Sequence, residues 1–101
     1  MIHVLATIRV ARGRRAEFLN HFHALVPLVL AEKGCIEYGS AVDLRTPVSS
    51  ESPREDVVTV IEKWESFEAL QNHLAAVHMH QYRQTVKELV VGVELLVLQP
   101  A

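Results

Sequence analysis

Cysteine is almost missing from this 101-residue chain, and the single thiol, Cys35, excludes an internal disulfide framework and suits a reducing compartment. An excess of charge of one sign is missing too. The formal net charge is -2 and no dense Lys/Arg block occurs, so neither nucleic acid nor an anionic membrane is expected as a partner. The Arg-Gly-Arg-Arg cluster at 12–15 is local and falls where a helix begins, which reads as a solvated face. Glycine-rich phosphate loops and nucleophile elbows are lacking. The apolar N-terminus has no charged leader and is too short for a signal peptide or a membrane span, so the expectation is a soluble cytoplasmic protein. What the chain does have is apolar residues. They make up 50% of it, enough for one domain over residues 1–101 to bury a real core.

These residues fall into a βαββααβ series. Residues 2–10 alternate, with Ile2, Val4, Ala6, Ile8 and Val10 on one face and His3, Leu5, Thr7 and Arg9 on the other. Gly13 breaks that pattern, and a helix is expected over 14–33 with an apolar stripe of Leu19, Phe22, Val26, Val29 and Leu30. Pro27 lies inside it and predicts a kink, because proline removes a donor and clashes with the preceding turn. Gly34 is the expected stop. A second strand follows over 36–43, with Tyr38 and Val42 on one face. Two prolines, three serines and mixed charge leave nothing to pack over 44–55, predicting a long, mobile hairpin connection. The third strand, 56–64, carries Val58, Val60, Glu62 and Trp64 on one side. Ser66 caps the next helix, whose inward stripe is Leu70, His73, Leu74 and Val77. A further helical stretch holds Tyr82, Val86, Leu89 and Val90, and Gly92 then releases the chain into a last strand, 93–98.

A strand, a crossover helix, a second strand, a hairpin and a helical return specify a ferredoxin-like α+β sandwich, one antiparallel sheet with its helices on one face. Strands one, three and four are largely apolar on both faces, yet the helices cover only one. Soluble monomers rarely leave such a face in water. A second copy packed sheet to sheet is the simplest cover, so a homodimer is expected.

The run EKWESFEALQNHL, 62–74, holds most of the chemistry. A strand ends in Glu62-x-Trp64, Ser66 starts a helix, and His73 lands on that helix's apolar stripe. A titratable group and the only tryptophan thus reach the rim of the core, where small-molecule pockets tend to sit. Each residue also has a plainer reading. Trp64 is first of all core area, and otherwise a flat wall for an aromatic substrate with an indole N–H to donate. His73 on an apolar stripe is ordinarily a satisfied core histidine, though its titration range suits proton transfer near neutral pH. Glu62 either orients His73 or, the preferred reading, caps a network at the dimer seam. Phe22, Tyr38, Met79 and Tyr82 have core spacing, and the same inward stripes bound any pocket between sheet and helices. The His-x-His pairs at 21/23 and 78/80 do not read as metal sites. Residues two apart on a helix point to nearly opposite sides, and no cysteine or carboxylate cluster completes a ligand set. His21 and His80 read as surface, and Cys35 as a small buried hydrophobe.

The order of elements, the length, and the phrases GCIEY at 34–38 and EKWES-x-EAL-xx-HL at 62–74 resemble the antibiotic biosynthesis monooxygenase superfamily over essentially the whole chain. That resemblance implies a small dimeric ferredoxin-like protein. Its quinol and anthrone oxygenases imply oxidation of a small aromatic molecule by O2, with no cofactor and no metal. It further implies that His73, matching the family's helix histidine, acts as the base beside Trp64 and Glu62. His78 matches the turn between the helices and is expected to face the pocket. The 44–55 loop is more extended than the family's usual hairpin. The superfamily also resembles an isomerase of a small carbonyl compound and haem-degrading enzymes. The haem branch fits poorly, because the first strand offers no asparagine and Arg83 occupies the place of its histidine. A non-catalytic small-ligand-binding dimer is the remaining alternative.

Overall fold

Two alternating runs set the sheet. In the computed structural model, which describes residues 1–101, they are β1 (Ile2–Val10) and β3 (Val57–Trp64), and they pair antiparallel from Ile2 opposite Trp64 to Arg9 opposite Val57. Around them come α1 (Arg15–Leu30), β2 (Cys35–Ala41), α2 (Phe67–Leu74), α3 (Val77–Thr85) and β4 (Val90–Leu98). The strands form one sheet in the order β2-β3-β1-β4, every neighbour antiparallel. This is the expected ferredoxin-like α+β arrangement. No helix is long and apolar enough to cross a membrane.

The core lies between the sheet and α1. Val4, Ala6, Ile8 and Val10 of β1 and Val58, Val60 and Trp64 of β3 form its sheet side. Phe18, Phe22, Leu25 and Val29 form its helix side, a ridge stepping by four, three and four. The expected stripe was offset from this ridge: Leu19 and Val26 are half-buried and Leu30 is exposed. α1 is apolar around much of its circumference, so helical spacing alone admits either ridge, and packing of Phe18 and Phe22 against Tyr38 of β2 and Tyr82 of α3 selects one. Pro27 sits in the last turn of α1 without ending it, and the helix stops at Leu30 rather than at residue 33.

Other boundaries moved for physical reasons. The turn after α1 closes through Glu32 N–H to Val29 O (2.9 Å) and Cys35 N–H to Glu32 O (3.2 Å), and strand pairing then begins at Cys35. Val42 falls outside β2 and is exposed. The connection from β2 to β3 carries no regular strand or helix, and Asp43 cross-links it by taking the Arg54 backbone N–H and guanidinium at 2.8–3.0 Å. α2 ends at Leu74 and α3 begins at Val77 in a new phase, so Leu74 is partly exposed and Val77 lies outside the core. α3 stops at Thr85, which leaves Val86 and Leu89 buried in the turn beyond it. Gly92 does not release the chain into β4: it lies within that strand, opposite Arg9.

The register also fixes the two faces. Val93, Leu95 and Val97 stand opposite Ile8, Ala6 and Val4 and share their helix-side face, yet β4 lies beyond the helices and these residues stay about half exposed. On the outer face, Leu5, Ile61, Leu96 and Leu98 make an apolar patch bordered by Thr7, Thr59, Lys63 and Glu94. That face is more mixed than the composition of the strands implied.

Candidate active site

Strand alternation places Glu62 and Trp64 on the helix-side face at the end of β3, opposite Tyr38 and Cys35 of β2. Two residues after the strand, Ser66 takes an extended conformation and its Oγ accepts from Ala69 N–H at 3.1 Å, starting α2. Two turns later His73 comes down onto Trp64, ring centroids 4.6 Å apart and planes at 34°. Tyr38 meets His73 edge-on at 5.4 Å, and Phe22 stacks on Tyr38 at 5.4 Å. Trp64 is 0% and His73 1% exposed, so the imidazole is held by aromatic faces rather than by water.

Two carboxylates flank the imidazole. Glu62 Oε1 accepts from Trp64 Nε1–H at 2.9 Å and lies 4.0 Å from His73 Nε2. Glu32, from the turn after α1, stands with Oε2 2.9 Å from His73 Nδ1. The turn reaches that far because Gly34 adopts φ +85° and lies against α2, where a Cβ would come 2.7 Å from Ala69 Cβ. Burial pushes the Glu62 carboxyl up to about 6, helped by the nearby Glu32 charge and opposed by the Trp64 hydrogen bond. Burial lowers His73 below its ordinary value, against the opposing pull of Glu32. The phenols of Tyr38 and Tyr82 are pushed well up, chiefly by burial. Near neutral pH the site therefore holds a neutral imidazole and a carboxyl group titrating within reach of it.

A cavity of about 380 Å³ opens from this cluster between the sheet and the helices. Ala6, Ile8 and Val60 line its sheet side, and Phe22, Tyr38, Met79 and Tyr82 line it from elsewhere in the core. Glu62 and His73 supply its buried polar groups, Arg83 and Lys87 add cations, and Val93 and Leu95 of β4 border it. Of 16 lining residues 12 are hydrophobic, so it suits an apolar, ring-sized guest with one or two polar handles.

Six of the eight residues singled out in the sequence thus meet at the cavity. Trp64 does not line it: the indole lies behind His73 and Glu62, packing one and donating to the other. His78 does not line it either, and its Nε2 instead reaches Glu32 Oε2 at 2.7 Å on the far side of His73. Cys35 is half-buried, and burial pushes its thiol up, away from thiolate reactivity. Sequence reasoning passed over Glu32 altogether. It stands 41 residues from His73 and carries no local pattern, and the only hint was Gly34 two positions on.

Fold and cavity together define a class, small ferredoxin-like α+β proteins that hold an apolar small-molecule pocket between sheet and helices. The antibiotic biosynthesis monooxygenase family matches residues 1–85. The Escherichia coli K12 protein named Probable quinol monooxygenase YgiN is 39% identical over 102 residues, spanning 99% of this chain and 98% of its own. A solved structure from Methanosarcina mazei superposes at TM-score 0.82 with 25% identity, over 99% of this chain and 92% of its own. One from Pseudomonas aeruginosa superposes at 0.81 with 24% identity, over 99% and 93% respectively. The chain belongs to the antibiotic biosynthesis monooxygenase family, and so to the oxidoreductases of monooxygenase type.

Proposed function

We propose that this protein oxidises a small, electron-rich phenol or quinol with O2, the substrate itself supplying the electrons and His73 serving as the base. The observation that carries this reading is a buried imidazole lining an apolar, ring-sized cavity, its proton affinity lowered by burial. The likeness to a relative named as a quinol monooxygenase supports the substrate class. The apolar lining weighs against an isomerase of a small polar carbonyl compound, which needs a wetter site.

In this mechanism the ring enters between Phe22, Tyr38 and Met79, and its hydroxyl sits between His73 Nε2 and Glu62. His73 takes the phenolic proton, since a base whose conjugate acid titrates below neutrality is free to accept it at pH 7. The phenolate passes one electron to O2, and phenoxyl and superoxide join at a ring carbon. His73 returns its proton to the resulting peroxide, and the hydroperoxide then loses water: one oxygen stays as the new carbonyl, the other leaves with that proton and the ring hydrogen, and a quinone remains. All four electrons come from the ring. The apolar walls exclude water from the radical pair. Trp64 serves from behind, holding His73 by its face and Glu62 by its N–H. The apolar patch of Leu5, Ile61, Leu96 and Leu98 supports the pairing of two copies through the outer sheet face. Sedimentation at a single-chain mass across working concentrations would remove the dimer.

Dissolved-oxygen uptake with a panel of quinols and anthrones, run beside His73→Ala, tests the reading. The expected result is quinone formation that falls about 10²-fold or more in the variant and loses its acid limb. No uptake above the uncatalysed rate would end the oxygenase proposal, and an unchanged rate in the variant would remove His73 from it.

A further inference from the structure

The side of His73 turned away from the cavity carries a contact that the proposed reaction does not use. One oxygen, Glu32 Oε2, receives two imidazoles: His73 Nδ1 at 2.9 Å and His78 Nε2 at 2.7 Å. The side chains are 1% exposed at His73, 13% at Glu32 and 25% at His78, so the three run from the core to the surface.

An ionised carboxylate can only accept hydrogen bonds. Neutral His73 therefore meets Glu32 with its N–H on Nδ1, and its lone pair falls on Nε2, the nitrogen beside Glu62 at the cavity. The opposite tautomer would set a lone pair against the carboxylate and give up a charge-assisted bond in a desolvated place. The backbone of Glu32 is fixed by the turn, but its side chain has three rotatable bonds that need a second restraint. His78, in the first turn of α3, supplies it from outside.

We propose that Glu32 is the positioning residue of the histidine base, fixing His73 as the Nδ1–H tautomer with Nε2 free toward the cavity, and that His78 clamps Glu32 in place. The word base rests on the oxygenase reading, whereas the tautomer does not. His73 is faced by Glu32 from the α1–β2 turn, Tyr38 from β2, Glu62 from β3, and His78 and Arg83 from α3. Among these, Glu32 raises the proton affinity of His73, and His78 and Arg83 lower it. Removing the Glu32 charge therefore moves the titration of His73 to lower pH as well as releasing its tautomer.

Nitrogen-15 NMR of the full chain labelled at histidine, at pH 7.5, reads the tautomer without any substrate. Wild-type His73 should show a protonated Nδ1 and a bare Nε2. In Glu32→Gln the tautomer should shift toward Nε2–H, with kcat about 10²-fold lower, KM within about threefold, and the acid limb of kcat at lower pH. His78→Asn, at a side chain that is 25% exposed, should show the same tautomer shift in smaller measure. Wild-type His73 found as Nε2–H, or Glu32→Gln keeping Nδ1–H, would overturn the assignment. If the wild-type protein takes up no oxygen, the oxygenase reading falls alone, because the NMR result still decides the tautomer.

Discussion

β3 and β4 are made of much the same residues and end in opposite environments. β3 reads VVTVIEKW and β4 reads VVGVELLVL. Yet on the shared helix-side face Val58, Val60, Glu62 and Trp64 are at most 6% exposed, while Val93, Leu95 and Val97 keep 45–54%. Position makes the difference. β3 lies between β1 and β2 beneath the helices, whereas β4 is the edge strand beyond β1. The covered end can hold polar groups because each finds a partner there: Glu62 has Trp64, and His73 has Glu32. The uncovered end contributes apolar side chains to a cavity that no helix fills. The candidate site is the boundary between these two regimes, neither of which would make a pocket alone.

The sharpest way to break the contrast is to empty the covered end. Trp64→Ala deletes a side chain with 0% exposure, and the cost expected for such a truncation is about 3–5 kcal/mol. It also takes the donor from Glu62 and the face from His73. Urea unfolding reads the loss directly. A loss under about 1 kcal/mol would mean that this end is not close-packed and that its difference from β4 is one of solvent access only.

Burial of a carboxyl group gives the next effect in size. The rise of Glu62 from 4.5 to about 6 corresponds to roughly 2 kcal/mol between its two protonation states. The folded chain holds this proton more tightly than the unfolded one. Its contribution to stability is thus complete below pH 4.5 and is lost as pH rises through about 6. His73 acts in the opposite sense: its lowered affinity favours folding above pH 6.5 and is lost as pH falls. A wild-type curve alone mixes the two. The difference between wild type and Glu62→Gln isolates the carboxyl, since His73 is common to both. The amide oxygen still accepts from Trp64, so the variant should be the more stable by up to about 2 kcal/mol at pH 7.5 and equal at pH 4.5. A gap that does not change with pH would show that Glu62 is ionised as easily as a surface carboxylate.

The same contrast explains what was legible in the sequence. β1 and β3 alternate cleanly because one face of each is buried, so Val58, Val60, Glu62 and Trp64 were assigned to the correct side. Ser66 and the helix it starts were legible through cap chemistry, which is local. β4 was read as starting late because Gly92 resembles a break, although at an edge strand a glycine opposite Arg9 does not interrupt pairing. The ridge of α1 was offset because apolar residues surround that helix, leaving the choice to tertiary contact. Within the site, His73 could be found by its place on a stripe. Glu32 could not, because a lone glutamate after a helix looks like solvated charge until the Gly34 turn carries it to α2. Trp64 reads first as core area and otherwise as a substrate wall, and it lies fully buried with His73 between it and the cavity.

The smallest stability effect belongs to the uncovered end, where it is paired with an effect on binding. Leu95 keeps 53% of its surface in solvent, so Leu95→Ala gives up only part of a leucine's burial, and the expected loss is about 1 kcal/mol or less. The side chain also borders the cavity. A contact made equally in the bound substrate and in the transition state changes KM and leaves kcat alone. A rise in KM of roughly tenfold with kcat unchanged is therefore expected, the size that a methylene or two is worth in an apolar pocket. Leu96, its neighbour in the chain, points to the opposite face and is the internal control. Leu96→Ala should leave KM where it was. If both variants raise KM alike, the two faces of β4 are not separate, and the binding surface must then extend around the edge of the sheet.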